Sequence, residues 1–159
     1  QNKSLDANII LDESVNLRAK MGEAYLKVLK KSKFFIPQKT YDGYRNTYWT
    51  FATKFLEKEA NISWHDFRKA YMKNGGDGIY SAHQTVNNES CFKNTNFGWG
   101  DVPISEKLQT ELMLFTTNQR DENARQEQID VLEKTIKQLF SHIICKEFKN
   151  ENTRYFYIL

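Results

Sequence analysis

Apolar residues change period along this chain, and the change decides the fold class. In segment 46–56, Thr47, Trp49, Phe51, Thr53 and Phe55 alternate with Tyr48, Thr50, Ala52 and Lys54. A period of two, rich in aromatic and β-branched side chains, predicts a strand with one buried face. On either side the period lengthens to that of a helix. Within 12–31, Leu17, Met21, Ala24, Tyr25 and Val28 make one stripe, and Leu11 and Val15 extend it on a neighbouring face. Near the other end, Ile129, Leu132, Ile136, Leu139 and Phe140 make a second stripe in a helix that Asp121 opens.

Punctuation between these segments places the remaining elements. Pro37 and Asp42-Gly43 mark 32–44 as a loop. Ser63 to Asp66 has the form of a capping box, with Asp in place of Glu. Trp64, Phe67 and Tyr71 share the face of the helix that follows. Gly75 and Gly76 end that helix, and Ile79 to Ala82 suits a short strand. Gln84 to Gly98 is polar and reads as a long surface loop. Pro103 belongs in the first turn of a third helix carrying Ile104, Leu108 and Leu112, and Met113 to Thr117 suits a short buried strand. The order implies an α+β fold, a small sheet with helices packed against it. Three parts are expected: 1–31, a long helix with an N-terminal lead; 32–140, the domain proper; and 141–159, an apolar, aromatic tail that should dock on something.

With 27% charged and 40% hydrophobic residues, the composition is that of a globular chain, and aromatics at 14% suffice for a core. No apolar run is long enough to span a membrane. The net charge of +3 is slight, and the cluster Lys27, Lys30, Lys31 and Lys33 suits a solvated helix end. Without an ordered basic stripe, no nucleic-acid partner is expected. Cys91 and Cys145 are far apart, so neither a disulfide framework nor a zinc site follows, and a reduced, cytoplasmic setting is expected. The sequence starts at Gln1 rather than Met, which suggests a piece of a longer protein.

Catalytic signatures are missing: no P-loop, no G-x-G-x-x-G, no nucleophile elbow and no H-E-x-x-H. Gly75-Gly76-Asp77-Gly78 lacks the spacing of a calcium loop and reads as a helix stop leading into a strand. Of the three histidines, His65 and His142 suggest no site. His83 follows a strand end and precedes the polar loop, a place where sites are assembled, although a hydrogen-bonded structural role is the other reading. Arg45 and Trp49, beside Tyr44 and Tyr48, form a second candidate set. Arg can fork onto a phosphate, and the rings can stack on a base or sugar. Alternatively, Arg45 caps the strand and Trp49 belongs to the sheet core.

Several blocks together resemble a known family. Pro37-Gln38-Lys39, Gly43-Tyr44-Arg45-Asn46-Thr47-Tyr48-Trp49-Thr50, Gly75-Gly76-Asp77-Gly78-Ile79-Tyr80, Gly100-Asp101-Val102-Pro103 and Phe115-Thr116-Thr117-Asn118 are similar, in that order, to the C-terminal part of DegT/StrS-type sugar-nucleotide aminotransferases. The perosamine-synthase-like members are nearest in wording, and the helix from Asp121 to Phe140 suits the family's last helix. The resemblance spans roughly residues 5–140. It implies the small C-terminal domain of an aspartate-aminotransferase-type (fold type I) enzyme that uses pyridoxal phosphate and usually forms a homodimer. In such an enzyme a lysine of the large domain forms the Schiff base, and an amino acid, usually glutamate, donates its amino group to a nucleoside-diphosphate keto-sugar.

The chain departs from the family where chemistry would reside. The Schiff-base lysine segment has no counterpart here, so this chain alone is expected to be inactive and to bind no cofactor. Its partners would be the missing large domain and the nucleotide-sugar. Tyr80-Ser81-Ala82-His83 only partly matches the family's histidine-bearing block beside the sugar, which makes His83 and Tyr80 candidate sugar contacts. Thr116 stands where many members have proline. A stand-alone ligand-binding or interaction module that kept the fold without catalysis is the competing reading. The first reading predicts exposed apolar surface for a missing domain; the second predicts a closed core.

Overall fold

The computed structural model describes residues 2–80, 85–92 and 102–144. Helix α1 (Asn2–Leu29) leads into strand β1 (Phe35–Pro37) and strand β2 (Thr50–Phe55). A short α2 (Glu57–Ala60), helix α3 (Trp64–Lys73) and strand β3 (Ile79–Tyr80) follow. After two single 3₁₀ turns, Val86–Asn88 and Ser90–Phe92, come α4 (Pro103–Glu111), β4 (Leu112–Thr116) and α5 (Glu122–Ile144). The strands form one antiparallel sheet in the order β1-β2-β4-β3. The fold is therefore α+β.

The central pair sets the core. Phe51 lies opposite Phe115 and Thr53 opposite Met113 across β2 and β4, and all four are buried on one face. Phe55 continues that face and pairs with Phe35 of β1, and Ile79 of β3 pairs with Phe115. Helices α1, α3 and α5 supply the other half of the core: Met21, Tyr25 and Val28; Trp64, Phe67 and Tyr71; Ile129, Leu132, Ile136 and Phe140. Aromatic rings carry much of it, with Tyr25 5.1 Å and Tyr71 5.7 Å from Phe115 between centroids. Such tilted and edge contacts add to what area burial supplies.

Several boundaries differ from those the sequence suggests. Helix α1 begins at Asn2 instead of near 12 and stops at Leu29. Phe35–Pro37, expected in a loop, is a strand, held to β2 by register rather than by any alternation of its own. The strand expected over 46–56 starts only at Thr50. Residue Tyr48 has a left-handed backbone (φ 48°), which breaks the period of two and turns Tyr48 rather than Trp49 inward. Leu112 belongs to β4, and α4 buries no residue: Ile104 is 83% exposed and Leu108 only half-buried. Helix α5 runs on to Ile144, past the expected start of the tail at 141, and the tail from 145 lies outside the described residues.

The expected caps are present. Ser63 Oγ accepts the Asp66 N–H at 3.1 Å and donates to Asp66 Oδ2 at 2.7 Å. Asp121 Oδ1 accepts the Ala124 N–H at 2.9 Å at the start of α5. Gly75, at φ 101°, ends α3: Gly76 N donates to Tyr71 O at 2.9 Å and Gly75 N to Met72 O at 3.0 Å, a Schellman pair. Among the described residues no helix is long and apolar enough to cross a membrane.

Candidate functional site

The end of α3 is tied down by one buried side chain of α5. Gln128 Oε1 accepts from the Tyr71 hydroxyl at 2.9 Å and from the Asp77 N–H at 2.7 Å. Gln128 Nε2 reaches Gly75 O at 3.4 Å. Gly76 passes so close over Tyr71 that a Cβ there would stand 2.4 Å from the ring. Having turned, the chain presents Asp77 to the end of β4. Asp77 Oδ2 accepts from Thr116 Oγ1 at 3.2 Å and from Gln119 Nε2 at 2.9 Å.

This arrangement walls an open groove of about 410 Å³, lined by Asp77, Tyr80, Thr116, Gln119, Arg120 and Glu127 among others. The Tyr25 hydroxyl lies buried without a hydrogen-bond partner among the described residues. Burial holds both the Tyr25 and Tyr71 phenols above the usual tyrosine range. For Tyr25, the Tyr71 phenol and the Asp77 carboxylate push in the same direction. For Tyr71, the neighbouring Tyr25 hydroxyl works against burial, and Asp77 adds to it. Both phenols stay protonated at neutral pH, and that of Tyr71 serves as a donor, to Gln128, rather than as a base.

A second groove, of about 510 Å³, lies between α1 and the loop after β1. Glu23, Lys39, Asp42, Tyr44, Arg45 and Tyr48 are among its lining residues. Tyr44 is 77% exposed, and Arg45 donates through Nη2 to Asn16 Oδ1.

The four residues singled out in the sequence do not meet in one pocket. Tyr80 is exposed and lines the first groove, and Arg45 lines the second. Trp49 lines neither; it is exposed with the Arg18 guanidinium over its ring, 4.8 Å from the centroid, so it is not sheet core. Arg45 does not cap the strand either, because it precedes Thr50 by five residues and bonds to α1. His83 lies outside the described residues. Sequence reasoning missed Arg18, Gln128 and Gln119. Arg18 and Gln128 in mid-helix, and Gln119 in the connection between β4 and α5, read as solvated residues, and only the partners that folding brings show otherwise. The glycine-rich segment was the available signal, since its turn forms one wall.

Among the described residues no group of His, Cys, Asp and Glu could hold a metal ion. Pyridoxal phosphate requires a lysine beside an aromatic stacking partner and a carboxylate for the ring nitrogen. The first groove has no lysine among its lining residues, and Lys39 of the second is an exposed loop residue. These residues do not fit that cofactor. Set against models of known protein families, the chain matches none, and no curated protein sequence matches it.

Proposed function

We propose that the chain is the small C-terminal domain of a pyridoxal-phosphate-dependent sugar-nucleotide aminotransferase, moving an amino group from glutamate to a nucleoside-diphosphate keto-sugar. One observation carries the reading. Three sequence blocks that resemble this family, spread from residue 43 to residue 118, converge at one end of the sheet. Thr117 Oγ1 donates to Tyr48 O at 2.6 Å and sits 3.0 Å from Trp49 O, joining the first block to the last. Thr116 meets Asp77 at 3.2 Å, joining the last to the glycine-rich one. Residues that matter only for packing have no reason to gather at strand ends, where ligand sites are usually built.

In this reading the chain supplies substrate contacts from Tyr80, His83, Arg45 and Trp49, and the amino-transfer chemistry resides in a domain it lacks. Exposed Ile10 and Leu11 supply apolar surface for that domain. The closed core, running from Ala19 to Phe140, favours the competing reading of a stand-alone binding module.

Two measurements decide between them. The reading frame upstream of Gln1 should encode a lysine-bearing large domain, and the extended protein should form 2-oxoglutarate from glutamate when given a nucleoside-diphosphate keto-sugar. The 159-residue chain, incubated with pyridoxal phosphate and reduced with borohydride, should show only scattered, substoichiometric lysine labelling. Stoichiometric labelling of one lysine, or a reading frame without such a domain, sinks the proposal.

A further inference from the structure

Trp49 is 79% exposed, an unusual place for a side chain that is highly buried on average. Its exposure is built in. The left-handed backbone of Tyr48 is one that bulky residues avoid, and such outliers persist only where the surroundings over-determine them. Here they do. The Tyr48 N–H donates to Asn46 Oδ1 at 2.8 Å, and its carbonyl accepts from Thr117 Oγ1 at 2.6 Å. Its ring stacks on Phe51 with centroids 5.7 Å apart, and it lies on Gly22, where a Cβ would come within 2.3 Å of it. The turn throws Trp49 outward. Arg18 then holds one face of the indole while donating to Trp49 O at 3.1 Å and to Thr117 Oγ1 at 3.3 Å. The other face stays open.

Charge points the same way. The hydrogen-bond acceptors of Arg18 are Trp49 O and Thr117 Oγ1, and that of Arg45 is Asn16 Oδ1, all of them neutral. Among the described residues neither guanidinium has an ion pair, although Glu23 and Asp42 line the groove with Arg45. Arg45 bonds to Asn16 and Arg18 to Trp49 O, so both guanidiniums connect the 45–49 segment to α1. An exposed indole with the Arg18 guanidinium on one face, and the Arg45 guanidinium four residues away along the chain, suits a flat ring that carries phosphate.

We propose that Arg18 and Trp49 form a stacking platform for the base of a nucleoside diphosphate, with Arg45 meeting its phosphates. The assignment deepens the nucleotide-sugar reading and rests on it for the choice of ligand. The test titrates the 159-residue chain with GDP and, separately, UDP, following tryptophan fluorescence and calorimetry, with inorganic pyrophosphate as the control. Saturable quenching by at least one nucleotide and none by pyrophosphate is expected. Trp49→Ala should weaken binding by about five- to hundredfold with the circular dichroism unchanged, and Trp49→Phe by much less. Arg18→Gln should also weaken it. Absence of saturable binding at millimolar nucleotide overturns the platform. So does binding that pyrophosphate reproduces or that Trp49→Ala leaves intact. Nucleotide binding without amino transfer in the extended protein would retire the aminotransferase reading and keep the platform; amino transfer without binding here would do the reverse.

Discussion

Replacing Gln128 by Leu tests the tie that shapes the first groove. Leu keeps most of the volume and removes both the acceptor and the donor. The Tyr71 hydroxyl, on a residue only 1% exposed, loses its acceptor, and so does the Asp77 N–H. A buried donor left without a partner costs about 1–3 kcal/mol, whereas the Asp77 amide belongs to an exposed residue and can turn to water. The expected loss is about 3 kcal/mol, or about 6–12 °C in Tm for a domain of this size. Urea unfolding of wild type, Gln128→Leu, Tyr71→Phe and the double variant closes a cycle. Tyr71→Phe alone should cost about 1 kcal/mol. In the Gln128→Leu background it should be neutral or stabilising, because it deletes the stranded hydroxyl, giving a coupling of about 1–2 kcal/mol. A Gln128→Leu variant within about 0.5 kcal/mol of wild type, with additive effects, would refute the bond's importance.

Three further outcomes follow from the same packing. Tyr25 and Tyr71 have phenols raised by burial, so above the ordinary tyrosine pKa of about 10 the unfolded chain sheds protons that the native one keeps. Stability should be intact below about pH 10 and fall as pH rises beyond it; absorbance at 295 nm should show these two ionising only with unfolding, and titration of all eight tyrosines in a folded chain would contradict this. Gly76→Ala should cost about 2 kcal/mol, since the ring it meets at 2.4 Å is pinned by Gln128, while Gly78→Ala, with nothing within 4 Å, should be neutral or slightly stabilising by thermal melts. Ser63→Ala should lose about 1 kcal/mol of stability in urea by removing the cap of α3, and an unchanged midpoint would count against that cap.

Most of the scaffold could be read from the residues because its signals are local. The stripes of α1, α3 and α5, the Ser63 and Asp121 caps and the glycine stop of α3 each depend on neighbours within a turn or two. Phe35–Pro37 could not be read so: three residues carry no period, and only the partner Thr53–Phe55 makes them a strand. The α4 stripe misled because amphipathic spacing shows which side chains share a face and not whether anything covers that face. Trp49 misled for a different reason. The alternation through 46–56 is real in the sequence, but one left-handed residue shifts it, and nothing about a tyrosine announces a positive φ.

The features at the strand ends were legible only in pieces, because they are joined only through Thr116 and Thr117 at the end of β4. Thr116 and Thr117 are adjacent and send their hydroxyls to different partners. Thr116 reaches Asp77 beside the first groove, while Thr117 reaches the carbonyls of Tyr48 and Trp49 and the guanidinium of Arg18. Side chains of successive residues at a strand end point in opposite directions, so two short hydroxyls can organise two separate features. Thr117, the residue just past β4 that holds Tyr48 in its unfavourable conformation, therefore neighbours Thr116, which bonds to the turn after α3. Thr116, the last residue of β4, donates its hydroxyl to Asp77 at 3.2 Å. That bond ties the groove wall to the sheet through side chains rather than through backbone stiffness. Thr116 and Thr117 thus link the first groove and the Tyr48–Trp49 turn through one stretch of chain.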